Sequence, residues 1–272
     1  MKLPGIVIPV FNAHEDVQAC LASVQAHSPA AEVLVIDDAS SDARVAPMLK
    51  AWQDSATRRR VITHDRNQGF VRSANRGMQQ FDGDIVLLNS DTLVTPGWLE
   101  ALSDCLASDP AIATATPWTN NGEIASFPDL CVAAPVPENL ERFAAAIAQG
   151  GQPVYPEIPT AVGFCMAISG RALKAVGEFD AELFGRGYGE ENDFSLRAKA
   201  AGFRNVLCDN AYVAHIGGRS FKSVNMAPGP ESMDRLLSRH PDYQQLIAEF
   251  IEADPLADRR LQLARAVQAV AA

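Results

Sequence analysis

The chain has 272 residues, 47% of them hydrophobic and 21% charged, enough for one large α/β domain or two small ones and ordinary for a globular protein. A net charge of −10 leaves no surplus of cations for nucleic acid or an anionic membrane, and no apolar run approaches the roughly 18 residues of a membrane span. Cys20, Cys105, Cys131, Cys165 and Cys208 are scattered with no Cys-x-x-Cys pair, so they read as reduced core residues of a cytosolic protein rather than a disulfide framework or a zinc site.

Met1-Lys2-Leu3-Pro4 runs straight into a strand-like segment with no sign of a secretory leader. Gly5 to Phe11 reads as the first strand, opened near its end by Pro9, which cannot donate to a ladder. Asn12 is placed to cap a helix whose Val17, Cys20, Leu21 and Val24 keep the i, i+3, i+4, i+7 spacing. A second strand, Glu32 to Asp38, ends in the carboxylates Asp37 and Asp38. Ser40-Ser41-Asp42 opens a helix with Val45, Met48, Leu49 and Trp52 on one face. Arg58-Arg59-Arg60 reads as a solvated helix end before a third strand, Arg60 to His64. The polar turn Arg66 to Gly69 leads into a helix from Phe70 to Gln80. Ile85 to Asn89 is a short, nearly continuous apolar run, the pattern of a strand buried on both faces. It stops abruptly at Asn89-Ser90-Asp91-Thr92. A helix with Trp98, Leu99, Leu102, Cys105 and Leu106 inward, then a fifth strand from Ile112 to Thr116, complete the first half.

The second half is less regular. Thr116 to Pro137 is rich in Pro, Asn and Gly and reads as loop, with Trp118 beside Asn120-Asn121-Gly122. A helix from Glu138 to Ala148, a buried strand from Ala161 to Ile168 and a short helix from Arg171 to Val176 follow. Gly185 to Gly189 is a glycine-rich approach to a helix from Glu190 to Ala201, stopped by Gly202. Val206 to Cys208 and Tyr212 to His215 read as short strands. The remainder is helical. Its last stripe, Leu256, Leu263, Val267 and Val270, is expected to dock on the body or on a second copy of the chain. Domain boundaries are expected at 1–222, in two halves, 1–116 and 117–222, with a helical extension over 223–272.

Strand and helix alternate about four times in the first half, which predicts a parallel sheet with helices on both faces and right-handed crossovers. In such sheets ligands sit beyond the carboxyl ends of the strands. Here those ends carry Asn12, Asp37, Asp38, Asn67 and Asn89 to Asp91. The same residues also suit plain turns and helix caps. Glu190, Glu191 and Asp193 also suit the first turn of a helix, where acids favour the dipole.

Six segments in this order resemble the family 2 glycosyltransferases of the GT-A fold, over roughly Ile6 to Ser220. They are Ile8-Pro9-Val10-Phe11-Asn12; Val35 to Asp42; Asn67-Gln68-Gly69-Phe70 with Ala74-Asn75-Arg76-Gly77; Leu87 to Thr92; Gly189 to Arg197; and His215-Ile216-Gly217-Gly218. The resemblance implies an α/β GT-A fold: a Rossmann-like, parallel-rich central sheet with helices on both faces and a helical C-terminal tail, with 1–116 as the nucleotide-sugar-binding half and 117–222 as the acceptor and catalytic half. It implies a UDP-, dTDP- or GDP-linked sugar donor, Mn²⁺ or Mg²⁺, and transfer of a hexosyl or deoxyhexosyl group with inversion. Position by position, Pro9, Val10 and Asn12 would border the nucleoside, and Asp37 would bond the base or ribose with Asp38 close by. Gly69 and Asn75 belong to the segment that would cover the donor, Asn75 helping to hold the strand ends together, and Asn89 and Ser90 would bind the donor. Asp91 would ligate the metal with His215 as a second ligand, while Arg219 and Lys222 would pair with diphosphate or face solvent. Glu191 would be the general base, with Glu190 the alternative, since adjacent helical residues point about 100° apart. Trp118 and Asp193 would face the acceptor. Asn89 stands where the family more often has a first acid, which lowers the charge of the metal site.

The chemistry accounts for these residue types. A carboxylate can take the proton of an attacking hydroxyl, and a divalent cation can offset charge on a departing diphosphate. The expected acceptor is a glycan or lipid-linked sugar of a bacterial surface polysaccharide, met in the cytoplasm or at the inner membrane face; no nucleic acid partner is expected. The competing readings are a sugar-nucleotide-binding module without transfer and a sugar-nucleotide pyrophosphorylase. The latter wants a basic Gly-rich loop after the first strand, which Phe11 to Glu15 lack.

Overall fold

A computed structural model of the protein describes residues 2–217 and 230–271. Gly218, Arg219, Ser220 and Lys222, together with the expected boundary at 222/223, lie outside the described residues. The core is one seven-stranded sheet in the order β3-β2-β1-β4-β7-β6-β8. Its strands are β1 (Gly5–Val10), β2 (Val33–Asp37), β3 (Arg59–Thr63), β4 (Ile85–Leu88), β6 (Ile112–Trp118), β7 (Cys165–Ile168) and β8 (Arg204–Tyr212). A two-residue strand, β5 (Thr92–Leu93), pairs antiparallel with β9 (Ala214–His215) beside it.

The first four strands of the main sheet are mutually parallel, as the alternating pattern predicts, and β6 is parallel to β8. β7 runs antiparallel to both its neighbours. This one reversal matters for the site. It brings the start of β7, not its end, to the edge where β1, β2, β4 and β6 finish, and the Asn89 N–H donates to the Phe164 carbonyl there at 2.9 Å. Every residue of β1, β2 and β4 is buried, so continuous apolar runs are the right composition for them. β3 is the edge strand and half-exposed, which lets it carry Arg59 and Arg60. These arginines therefore belong to a strand and not a helix end; Arg59 stacks over Trp52 at 5.3 Å.

The helices over the first half are α1 (His14–His27), α2 (Val45–Asp54), α3 (Phe70–Met78) and α4 (Trp98–Ser108). Their apolar stripes fill the two core layers on either face of the sheet. Asn12 does not cap α1; the cap position is Ala13, and both residues adopt left-handed backbone. The second half adds α5 (Leu140–Ala148), α6 (Gly170–Val176), α7 (Ala181–Phe184) and α8 (Glu190–Ala200). The tail adds α9 (Pro230–Arg239), α10 (Tyr243–Ala253) and α11 (Ala257–Ala271). Leu256 and Leu263 are fully buried, with Val267 packed against the same cluster as α5, so the last stripe docks on the body of its own chain. Four of the five cysteines are buried and all are free; Cys131 is exposed. No helix among the described residues is long and apolar enough to cross a membrane.

Candidate active site

The strand ends converge on a cavity of about 410 Å³. Its sheet-side rim holds Pro9, Val10, Asp38, Gly69, Asn89, Ser90, Asp91 and His215; the opposite side holds Glu190, Glu191, Tyr188 and Arg186. Four loops and the N-terminus of α8 thus meet at the edge the sequence marks.

Asp38 is 3% exposed, and its carboxylate is already engaged. It accepts from His64 Nδ1 at 2.9 Å and from the backbone N–H groups of Gln68 and Gly69 at 2.7 and 2.8 Å. Its work is to shape the Asn67–Phe70 loop over the cavity. Gly69 is required there, since a Cβ would lie 2.8 Å from the Arg186 backbone and φ is +89°. The Phe70 N–H donates to the Arg186 carbonyl at 3.1 Å, stitching this loop to the glycine-rich approach.

Asp91 and His215 are brought together by the β5–β9 pair, in which Thr92 faces His215 and the Ile216 N–H donates to the Asp91 carbonyl at 2.9 Å. His215 Nε2 lies 3.5 Å from an Asp91 carboxylate oxygen. Its Nδ1 is 2.6 Å from the Asn121 carbonyl, which can only accept, so Nδ1 carries the proton and Nε2 is left to face the carboxylate. Burial opposes the imidazolium, but the Asp91 carboxylate outweighs it and the His215 pKa is raised. An imidazole lone pair facing a carboxylate calls for a proton or a cation between them. That donor set, one carboxylate and one imidazole, suits a divalent ion of the Mn²⁺ type. Among the described residues no cluster of three such ligands exists, so an ion here would draw its remaining ligands from water or a bound diphosphate.

His215 is held by Asn120 and Phe164, which the sequence does not tie to it. Asn120 accepts from its backbone N–H at 2.8 Å and donates to its carbonyl at 3.0 Å. Phe164 stacks on the imidazole with centroids 5.4 Å apart. The Asn120-Asn121-Gly122 run was the available signal.

Glu190 and Glu191 open α8, after three successive residues with positive φ, Gly187, Tyr188 and Gly189. Both line the cavity. Glu190 is 4% exposed, and its Oε2 has no hydrogen-bond partner. Burial, then the charge of Glu191, lifts its pKa well above the carboxylate range. Glu191 is half-buried and accepts from the Gly189 N–H at 3.3 Å. Burial, with the Glu123 carboxylate adding to it, pushes its pKa up to about 7. A carboxyl poised there can exchange a proton at neutral pH.

Five predicted site residues fall outside the cavity. Asn12 accepts from the backbone N–H groups of Ser41 and Asp42 at 2.8 and 2.9 Å, and one Asp37 oxygen from that of Ser40 at 3.0 Å; both help build the turn after β2. Asn75 ties α3 to both backbone groups of Phe179. Trp118 does not line an acceptor cleft: β6 runs two residues past Thr116, carrying the indole into the core, where it donates to the Asp209 carbonyl. Asp193 does not face an acceptor: it is fully buried and saturated by Arg197, Arg239 and His240.

Residues 5–177 match glycosyl transferase family 2. The chain belongs to that family. An uncharacterized protein of Mycobacterium tuberculosis is 27% identical over 221 residues, 79% of this chain and 74% of that one. The glycosyltransferase AglE of Haloferax volcanii is 30% identical over 100 residues, 35% of this chain and 33% of its own. The undecaprenyl-phosphate 4-deoxy-4-formamido-L-arabinose transferase of Salmonella paratyphi A is also 30% identical over 100 residues, 31% of its length. Among solved structures, GalNAc-T7 with UDP, GalNAc and Mn²⁺ superposes with a TM-score of 0.61 at 17% identity, covering 96% of this chain and 54% of that one. Mannosyltransferase PcManGT from Pyrobaculum calidifontis, with GDP-Man and Mn²⁺, gives 0.57 at 15% identity over 98% and 74%. The fold is that of the GT-A glycosyltransferases, and this glycosyltransferase keeps its cavity at the strand ends where the fold binds ligands.

Proposed function

We propose that the protein transfers a sugar, with inversion, from a UDP-, dTDP- or GDP-linked donor to a hydroxyl of a glycan or lipid-linked acceptor. One observation carries the reading: two carboxyls with raised pKa values and the Asp91–His215 pair line one cavity at the ends of β4 and β9. Glu191 is the base. It takes the proton of the acceptor hydroxyl as that oxygen bonds to the anomeric carbon, and the bond from that carbon to the diphosphate breaks, releasing nucleoside diphosphate. Pro9, Val10, Asn89 and Ser90 border the donor, and the Asn67–Phe70 loop shaped by Asp38 covers it. Asp91 and His215 would hold Mn²⁺ or Mg²⁺, which offsets charge on the departing diphosphate. A relative named as an undecaprenyl-phosphate transferase supports a lipid-linked acceptor; our reading is that this acceptor is of the surface-polysaccharide class, met in the cytoplasm or at the inner face of the membrane.

The test is calorimetry of UDP, dTDP and GDP with and without Mn²⁺, joined to assays of Glu191→Gln and Asp91→Ala. Binding should tighten at least about tenfold with metal, and that gain should vanish in Asp91→Ala. Glu191→Gln should keep nucleotide affinity and lose 10²–10⁴-fold in turnover, the usual weight of a general base. Metal-independent binding, or undiminished turnover in Glu191→Gln, refutes the reading.

A further inference from the structure

Chain outside the family-matched segment supplies part of the pocket. α9 contributes Ser232, Met233 and Leu236, and α10 its first residue, Tyr243, to the cavity that Glu190 and Glu191 line. Leu236 is buried, its Cβ 3.7 Å from where a Cβ on Gly189 would stand, directly over the start of α8. Tyr243 is 9% exposed. Burial, then the nearby Glu191 and Glu123 carboxylates, raises its phenol pKa.

One side chain grips these helices. The Asp193 carboxylate, fully buried, accepts from Arg197 Nε at 2.8 Å, Arg239 Nη1 at 3.1 Å and His240 Nε2 at 2.9 Å. Arg239 also reaches Asp180 at 2.7 Å. Arg239 ends α9, and the Tyr243 N–H donates to the His240 carbonyl at 3.1 Å. The gripped segment is thus the turn that delivers Tyr243. A buried carboxylate is stable only when its partners are complete, so the turn has a single well-paired seat. Asp193 and Glu191 lie two residues apart on α8, about 200° around it, so one rigid helix presents an acid to the pocket and an acid to the turn.

We propose that Asp193 is a positioning residue: by holding Arg239 and His240 it fixes the α9–α10 turn, seats Tyr243 beside Glu191, and makes the C-terminal helices a wall that keeps water off the base and seats the acceptor. This rests on Glu191 being the base. It predicts that losing the wall changes the partition between sugar transfer and donor hydrolysis, which a purely structural role leaves alone.

The experiment compares Asp193→Asn, Tyr243→Ala and the double variant of the full chain with Mn²⁺. Donors are UDP-glucose, UDP-N-acetylglucosamine, GDP-mannose and dTDP-rhamnose; probe acceptors are a panel of p-nitrophenyl glycosides. Each single variant should lower the ratio of transfer to hydrolysis at least about tenfold while the Kd for UDP or GDP stays within about twofold. The double variant should fall no further than the worse single one, the mark of residues acting through one another. Amide exchange over residues 230–253 should quicken in Asp193→Asn. Where no glycoside accepts, hydrolysis alone is read, and it should rise in Tyr243→Ala. An unchanged ratio, effects that multiply, unaltered exchange, or hydrolysis that does not rise overturns the proposal. If Asp193→Asn fails to fold, His240→Gln, which leaves both arginines on the carboxylate, carries the same comparison. Failure of the wild type to bind any nucleotide or consume any donor refutes the transferase reading instead, and the exchange measurement still decides whether Asp193 holds the turn.

Discussion

Glu190→Gln should stabilise the protein, and by an amount that depends on pH. The Glu190 carboxyl is nearly sealed from solvent with one oxygen unpartnered, and its pKa is held well above the ordinary 4.5, first by burial and then by the charge of Glu191. At about pH 7.5, roughly three pH units above that ordinary value, the unfolded chain carries the group ionised. Protonating it on folding costs about 1.36 kcal/mol per pH unit, or ~4 kcal/mol at most. The folded state therefore binds more protons than the unfolded one above about pH 4.5, and stability falls as pH rises toward the folded pKa. Glutamine keeps the shape and carries no such cost. Urea denaturation should show the variant up to ~4 kcal/mol more stable at about pH 7.5, a rise of roughly 10 °C in melting temperature for a chain of this size. The difference should shrink to near zero at about pH 4.5. In a Glu191→Gln background it should be smaller above about pH 7, where Glu191 is ionised, because part of the shift comes from that neighbouring charge. A gain independent of pH, or a loss of stability at both extremes, refutes the reasoning.

Turnover should fall about tenfold per pH unit below about 7, where the raised Glu191 carboxyl takes up a proton and ceases to be a base; a profile flat to about pH 5 contradicts this. Asn120→Ala removes both side-chain bonds to the His215 backbone and one to the Ala134 carbonyl. It should cost about 2–3 kcal/mol in stability and weaken nucleotide binding only when Mn²⁺ is present, as read by denaturation and calorimetry. Gly77→Ala would place a Cβ 2.1 Å from a Val7 methyl, between α3 and β1, and should destabilise by about 1–3 kcal/mol in the same denaturation assay.

Much of the fold is legible because its strands are buried on both faces and end abruptly in polar residues, as at Ile85 to Asp91. What the sequence hides is direction. Cys165 to Ile168 reads as a buried strand whichever way it runs, yet its antiparallel course is what brings Gly163 and Phe164 to the site. Asp91, His215, Glu190 and Glu191 are visible by type and place. Asn12 and Asp37 look the same as ligand-binding residues, but the Asn12 oxygen and one Asp37 oxygen hold the turn through Ser40, Ser41 and Asp42, a partnership only three dimensions reveal. Trp118 sits where loop composition begins, and only the pairing of Trp118 with Tyr212 extends the strand and buries it. Tyr243 lies on a helix with no pattern to single it out. It matters because the Asp193 grip turns it inward.

The β5–β9 pair joins residues about 120 positions apart, and one of its strands is among the last pieces of the sheet region to be synthesised. A ribosome that has delivered the first two hundred residues has delivered every strand of the parallel half but not the imidazole opposite Asp91. Completion of the Asp91–His215 pair is therefore a late event in the life of the nascent chain.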